Sequence, residues 1–340
     1  SSNYAAEFGR AGGGIINFTT KSGTNQWRGS AYDHVRNEAW GAGLPYTNDG
    51  AGHLVRGRDR QQDFGFSLGG PVWVPRLYNG RNKTFFFVNY EMFRKVERRY
   101  SGLLGSPTEA FRDGDFSAML TGRQLNTDNQ GRPVLEGVIY DSATDRTINN
   151  TTPVRDPFPA NLVPKSRMDP VALAIQNLIP KPQIANAQPI NNYWSFTPTR
   201  KIMSIPSVKL DEIIGNARIS FYFSHERVDK DNSPDGWPYP ISVWRYQEIR
   251  SNMARLNYDH TISPTLFNHL GVGAFWYMNP DQEVGKDYDS AGKLGLKGTV
   301  NPGFPTITIN NLTSTGNLRM GTGINLFTSN KPTATESLMW

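Results

Sequence analysis

The chain has 340 residues, of which 37% are hydrophobic and 12% aromatic, and it carries a formal net charge of +6. The absence of cysteine excludes disulfides, thiolate metal sites and thiol nucleophiles. No window approaches the run of roughly 18 apolar residues that a membrane helix needs. A membrane β-barrel stays compatible, because its strands alternate lipid-facing and lumen-facing residues. The charge is modest and no nucleic-acid-binding motif accompanies it, so we expect no nucleic-acid partner.

We expect the chain to be an internal piece of a longer protein, because no basic and apolar leader follows Ser1. Residues 7–32 contain three consecutive glycines at 12–14, a short apolar strand at 15–20, a polar break at 21–25 and a second strand that opens at Trp27. Three adjacent glycines indicate a crowded packing point, because glycine permits close approach of a neighbouring backbone. A glycine-rich turn in any all-β protein is the alternative interpretation.

Alternation of apolar and polar side chains predicts a series of β-strands. Within residues 61–70, for example, Phe64, Phe66 and Leu68 share one face, and Pro71 ends the strand because proline cannot continue a ladder. The predicted strands cover residues 27–36, 61–70, 83–95, 208–210, 217–227, 252–260, 266–278 and 316–327. They predict an all-β protein.

Residues 97–205 form a connection of roughly 110 residues, far longer than an ordinary loop, which indicates a functional loop or a subdomain. Asp169 followed by Pro170 predicts a helix start, because an N-cap residue precedes proline at the first helical position. A second helix signal covers residues 115–120.

Long and short connections alternate along the chain. Outer-membrane barrels have short turns at one rim and long loops at the other, so the two kinds alternate along the chain. In a β-sandwich long and short loops are not expected to alternate. The connections in order are 37–60, 71–82, 97–205, 215–216, 228–250, 261–264 and a long one after 279. This order favours a partial transmembrane antiparallel β-barrel.

No catalytic or metal site emerges from the sequence, and we expect neither an enzyme nor a cofactor. His225, His260 and His269 lack metal-ligand spacing, so polar strand or loop positions are the simpler interpretation. Residues 229–236 resemble a calcium loop in their carboxylates and amides, but Pro234 and Pro240 stand where an EF-hand has glycine and glutamate. A solvated external loop is the preferred interpretation there.

A basic cluster follows the strand predicted at residues 83–95, on the side expected to be external. Its members, Arg94, Lys95, Arg98 and Arg99, suit contact with lipopolysaccharide phosphates, and an ordinary solvated rim is the alternative. Aromatic residues near strand ends could form interfacial girdles in a membrane barrel or cross-strand pairs in a soluble sheet. These residues are Trp27, Tyr32, Tyr90, Tyr258, Trp276 and Tyr277.

Several motifs resemble TonB-dependent outer-membrane receptors, in particular the Oar-like subgroup. They include Phe8-Gly9, the glycine run through Asn17, the segment 20–24 (TKSGT), 64–71 (FGFSLGGP), 83–87 (KTFFF) and 158–164 (FPANLVP). The resemblance implies that residues 1–25 end a plug domain and that 26–340 begin a barrel of about 22 strands, with a long external loop at about 97–205. The implied plug-to-barrel motif comprises Gly12, Gly13, Gly14, Asn17, Thr20, Lys21 and Gly23.

The same resemblance implies an outer-membrane location, contact with lipid and lipopolysaccharide, and coupling to TonB through an upstream segment that this chain lacks. The implied activity is transport of a large or scarce nutrient of the siderophore, glycan or peptide class. A cell-surface adhesin or glycan-binding β-protein is the alternative, in which Tyr193, Trp194 and Trp237 form the binding face. A secreted enzyme would need an acidic cleft, which the sequence does not show.

Overall fold

The computed structural model describes residues 19–41, 57–185, 188–232, 234–298, 302–310, 317–320 and 325–340. Eight strands form one antiparallel sheet in which each strand pairs with its neighbours in chain order. In that order they are β1 (Arg28–Arg36), β2 (Asp59–Pro71), β3 (Thr84–Tyr100), β4 (Phe196–Ile214), β5 (Ala217–Asn232), β6 (Arg245–Ser263), β7 (Leu266–Glu283) and β8 (Asn325–Met339). The expected all-β antiparallel fold is confirmed.

The two faces of the sheet differ in polarity. Directly opposite residues on one face form an apolar row that remains solvent-accessible: Phe86, Leu210, Phe221, Leu256 and Val272. On the other face the next row along consists of Phe85, Asp211, Ser220, Asn257 and Gly271. We call these the apolar face and the polar wall. This division follows from the two-residue period of a strand.

Long and short connections lie at opposite ends of the strands, as the sequence predicts. The short ones are residues 72–83, 215–216 and 264–265, and the first holds a two-stranded hairpin, Trp73–Val74 with Tyr78–Asn79. The long ones are residues 37–58, 101–195, 233–244 and 284–324. The turn expected at 261–264 is narrower, because pairing continues to Ser263 with Leu266.

Most strands extend further than the sequence predicts. β3 continues to Tyr100 and β4 begins at Phe196, so the long loop comprises residues 101–195 instead of 97–205. The expected loop at 228–250 likewise shrinks to residues 233–244. At these strand ends both faces carry polar side chains, so the apolar alternation that marks a strand is lost. The strand predicted at 316–327 corresponds only to a short strand, Asn317–Met320, and to the start of the last strand of the sheet, β8, which continues to Met339.

Three long connections pack together into a body that we call the cap, formed by the described residues of 101–195, 234–244 and 284–307. Its core contains Ile179, Trp237, Ile241, Tyr288, Leu294 and Phe304, which come from all three connections. The cap holds the helices α1 (Glu109–Arg112), α2 (Pro170–Leu178) and α3 (Ser290–Leu294), and the hairpins Gln124–Thr127 with Pro133–Leu135 and Tyr140–Ile148 with Thr152–Pro157. A further hairpin pairs Ile307–Asn310 with Asn317–Met320.

The predicted start of α2 is confirmed, because the Asp169 carboxylate accepts hydrogen bonds from the backbone N–H groups of Val171 and Ala172. The helix signal at 115–120 corresponds only to a 3₁₀ turn, Ser117–Met119. No helix among the described residues is long and apolar enough to cross a membrane.

Candidate functional site

A short segment of chain, residues 19–26, lies across the polar wall near the short turns. We call it the crossing segment. Gly23 packs so closely that a Cβ on it would lie 2.3 Å from the carbonyl oxygen of Phe86 and 2.7 Å from that of Gly70. A Cβ on Gly69 would in turn lie 3.4 Å from the Gly23 Cα. The contact therefore requires glycine at position 23, since any other side chain would collide with strand backbone.

A buried carboxylate on the wall organises the side chains that hold the crossing segment. Asp211 is 1% exposed, accepts a hydrogen bond of 2.5 Å from the Ser220 hydroxyl and pairs with Arg218 at 2.9 Å. The Nζ atom of Lys209 lies 4.0 Å from the same carboxylate. A buried carboxylate is tolerated only when it is paired and hydrogen-bonded, and these three partners provide the pairing for Asp211.

Both cations of this group also reach the crossing segment. Lys209 donates a hydrogen bond of 3.4 Å to the carbonyl oxygen of Thr20, and Arg218 donates one of 3.3 Å to the Ser22 hydroxyl. Further along, the backbone N–H of Asn82 donates to the side-chain oxygen of Asn25 at 2.7 Å. The wall thus binds the segment through backbone contact at Gly23 and through polar bonds on either side of it.

The basic cluster predicted at the end of the third strand divides between the two faces. Lys95 and Arg99 lie on the polar wall, where Glu97 pairs with them at 2.5 and 2.9 Å. Arg94 and Arg98 lie on the opposite side of β3, and both are exposed. The expectation that all four follow the strand end is wrong, because β3 continues to Tyr100. Contact with lipopolysaccharide stays a prediction, and the alternation assigns it to Arg94 and Arg98.

An exposed apolar face and a polar opposite face, with loops sorted by length, are the properties of an outer-membrane barrel wall. The sequence matches the outer membrane beta barrel domain family over residues 19–340. This chain belongs to that family. It is a protein of the outer membrane, its apolar face contacts lipid, and its polar wall faces the barrel lumen.

The chain is also similar to a TonB-dependent transporter, Oar, of Myxococcus xanthus, with 34% identity over 103 residues. The match covers 27% of this chain and 9% of that relative, so the chain spans only a small part of the relative's length. No solved structure matches the chain.

The six aromatic residues expected near strand ends divide between the lipid-facing and the lumen-facing side of the wall. Trp27 packs edge-on against Phe86 of the lipid-facing side, with ring centroids 5.2 Å apart, and Trp276 is 44% exposed on that side. Tyr90 and Tyr258 share this face. Tyr32 lies opposite Gly65 on the lumen side, and Tyr277 opposite Ser251 does so too, so neither belongs to an interfacial girdle.

Of the predicted plug-to-barrel motif, Thr20, Lys21 and Gly23 lie in the crossing segment against the barrel wall. Gly12, Gly13, Gly14 and Asn17 lie outside the described residues. The sequence alone does not predict the wall residues that hold the segment, which are Lys209, Asp211 and Arg218. Alternation placed Leu210 on a strand, but one sequence gives no signal that links position 211 to positions 20–22, nearly two hundred residues earlier.

Of the segment considered for calcium, residues 229–232 belong to β5 and are not a solvated loop, and hydrogen bonds to Asp235 organise the part that follows. Asp235 accepts bonds from the Ser242 hydroxyl at 2.6 Å and from the backbone N–H groups of Val243 and Trp237 at 2.7 and 3.2 Å. Burial raises the pKa of this carboxyl. Among the described residues, no group of three or more histidines, cysteines and carboxylates could hold a metal ion. The predicted strand histidines make pairs, His225 with Asn252 and His269 with Asp259.

Part of the aromatic binding face expected for an adhesin is buried in the core of the cap. Trp237 is only 6% exposed and stacks on Tyr193, with centroids 5.1 Å apart and planes 5° from parallel. This pair joins two connections of the cap. Trp237 is therefore a packing residue and is not accessible to a ligand in this conformation.

Proposed function

We propose that this chain forms the plug-to-barrel junction and the first part of the barrel of a TonB-dependent transporter. In this proposal residues 1–25 end the plug and residues 26–340 begin a barrel of about 22 strands. The observation that carries it is the crossing segment, which is held on the lumen side by Gly23, Lys209 and Arg218. A chain that enters the lumen before it becomes the first barrel strand is suited to connect an internal plug to its barrel.

In this proposal one rim of the barrel is extracellular and the other is periplasmic. The cap lies at the rim of long connections, which is the outer rim in this class of barrel, and the crossing segment lies near the short periplasmic turns. A substrate of the siderophore, glycan or peptide class would meet the cap first. TonB would act from the periplasmic side through a segment upstream of residue 1. The similarity to a protein named as a TonB-dependent transporter supports this coupling.

Lipid and lipopolysaccharide are the proposed surroundings of the lipid-facing side, with Arg94 and Arg98 directed at lipopolysaccharide phosphates at the upper edge of β3. The proposal includes no catalytic step and no cofactor. The work done by the protein is binding, occlusion and release.

The decisive experiment uses the full-length parent protein in a Gram-negative host with and without TonB. We would measure uptake of a panel of labelled siderophores, oligosaccharides and peptides. Uptake that requires both the parent protein and TonB supports the proposal. Surface binding of a panel member without uptake in either strain would contradict it and would favour the adhesin, for which the folded cap supplies a surface.

A further inference from the structure

Three lysines lie side by side on the polar wall, close to the cap. Lys95 of β3 is directly opposite Lys201 of β4, and Lys201 is directly opposite Lys230 of β5. Residues in such positions have Cβ atoms about 4.5–5.5 Å apart and share one face. We call Lys95, Lys201 and Lys230 the lysine row.

The lysine row destabilises the sheet when no ligand is bound, because like charges directly opposite one another repel. Lys95 is compensated by Glu97 at 2.5 Å and Asp59 at 3.7 Å. Within the described part of the chain, neither Lys201 nor Lys230 has a carboxylate partner within salt-bridge distance. The Nζ atom of Lys201 instead lies 5.2 Å from the centre of the Phe93 ring.

These lysines line a groove of about 300 Å³ at the lumen side of the outer rim. Besides the lysine row, the groove is lined by two further cations, two carboxylates and two neutral polar residues: Arg99, Arg200, Glu97, Asp231, Thr199 and Asn232. Arg99 shares the carboxylate of Glu97 with Lys95. The cations around the groove therefore outnumber the carboxylates that balance them.

We propose that this groove binds an anionic substrate, one that carries at least two carboxylate or phosphate groups. Adjacent strands are about 4.8 Å apart, so two anionic groups at a similar spacing can each meet one of the ammonium groups of Lys201 and Lys230. Binding converts the repulsion within the row into charge-assisted hydrogen bonds. The inference rests on the proposed transport function, because an anion bound in this groove, between the cap and the lumen, is a substrate only if the barrel transports it.

The experiment measures binding to the purified full-length parent protein in detergent by titration calorimetry. The two probes are citrate for carboxylates and inorganic tripolyphosphate for phosphates. We expect at least one probe to bind, and we expect the double variant Lys201→Gln/Lys230→Gln to bind it about tenfold or more weakly, since hydrogen bonds to charged groups are the stronger class. Affinity should also fall as salt is raised. The probe that binds identifies the anionic group.

The matched control is Lys165→Gln/Lys181→Gln, which removes the same charge from exposed cap lysines that pair with Asp113 at 3.1 Å and Glu109 at 3.0 Å. Its affinity should equal that of the unaltered protein. The variant Lys201→Arg should also retain binding, because it keeps the charge, and a heat-dependent gel shift verifies that each barrel is folded.

Failure of both probes to bind the unaltered protein would overturn the inference, as would an equal loss in the control and the Lys201→Gln/Lys230→Gln variants. The transport proposal fails separately. Binding that depends on the lysine row, in a protein whose uptake does not depend on TonB, would leave the anion site standing and remove the transporter. TonB-dependent uptake without anion binding would do the reverse.

Discussion

Gly23 packs against Gly69 on the lumen side of the barrel wall, with the Cα of Gly23 only 3.4 Å from the place that a Cβ on Gly69 would occupy. Neither residue adopts the left-handed backbone region, so it is the close approach of two chains that requires glycine here. The contact lets residues 19–26 lie flat on β2 and β3 before the chain turns into β1. The position of the first strand and that of the crossing segment are thus determined together.

Gly23→Ala should displace the crossing segment, because the new Cβ would lie 2.3 Å from the carbonyl oxygen of Phe86. Overpacking of this kind costs about 1–3 kcal/mol, so local opening should increase roughly tenfold. Trypsin cleavage at Lys21 in full-length protein provides the measurement, since the peptide bond is protected while the segment is docked. Gly57→Ala is the control, because nothing lies within 4 Å of a Cβ at Gly57. Equal cleavage rates in the two variants would show that the segment is not held at Gly23.

Asp211→Asn should destabilise the barrel, because Arg218 and Lys209 would lose their shared carboxylate. Arg218 is 43% exposed, so the loss should be below that of a fully buried pair, about 1–3 kcal/mol. The temperature at which the folded band shifts on a gel should therefore fall. The control Asp287→Asn alters a carboxylate that is 78% exposed and pairs with Lys286 at the surface, where such pairs contribute little. An unchanged shift temperature in Asp211→Asn would mean that the pair does not stabilise the wall.

Phe223→Lys and Ser224→Lys form a matched pair, since the two residues are adjacent on β5 and lie on opposite faces. Ser224 is the lumen-side member, and its directly opposite neighbours, Ser207 and Met253, are uncharged. A lysine on the lipid side costs about 2–4 kcal/mol near the bilayer midplane, whereas the lumen side tolerates charge. We expect Phe223→Lys to reduce the amount of folded protein in the outer membrane and Ser224→Lys to leave it nearly unchanged. The reverse order would invert the assignment of lipid and lumen sides.

The strands and the sorting of loops were predictable because both follow from local alternation, as in β2 and β7. Three features were not. The ends of β3 and β5 carry charged residues such as Glu97 and Lys230, so the pattern that marks a lipid-facing strand stops before the strand does. The hydrogen bond from Lys209 to Thr20 joins distant parts of the chain, and the local sequence pattern does not reveal such a pairing. The core of the cap gathers single residues from three connections, which periodicity cannot link.

Trp237→Ala should unfold the cap without affecting the barrel. Trp237 is 6% exposed and stacks on Tyr193, and removal of a buried tryptophan ring typically costs about 3–5 kcal/mol. On intact cells, proteinase K should cut within residues 101–195 of this variant while the heat-dependent shift of the barrel is retained. The control Trp73→Ala removes a ring that is 56% exposed in a short turn. Equal protection of the cap in both variants would contradict the prediction.

In the described part of the chain, the two outer strands of the sheet have no neighbour on one side. β1 and β8 each have one neighbour and do not pair with one another, so one edge of each strand presents unpaired backbone groups. In lipid each unsatisfied group costs several kcal/mol, because no water replaces the missing partner. Residues 1–340 expressed alone should therefore fail to insert as a stable barrel, and the full-length parent should succeed. Size-exclusion chromatography and trypsin resistance in detergent give the readout. A monodisperse, trypsin-resistant species formed by residues 1–340 would show that the eight strands close on themselves and would remove the larger barrel from the proposal.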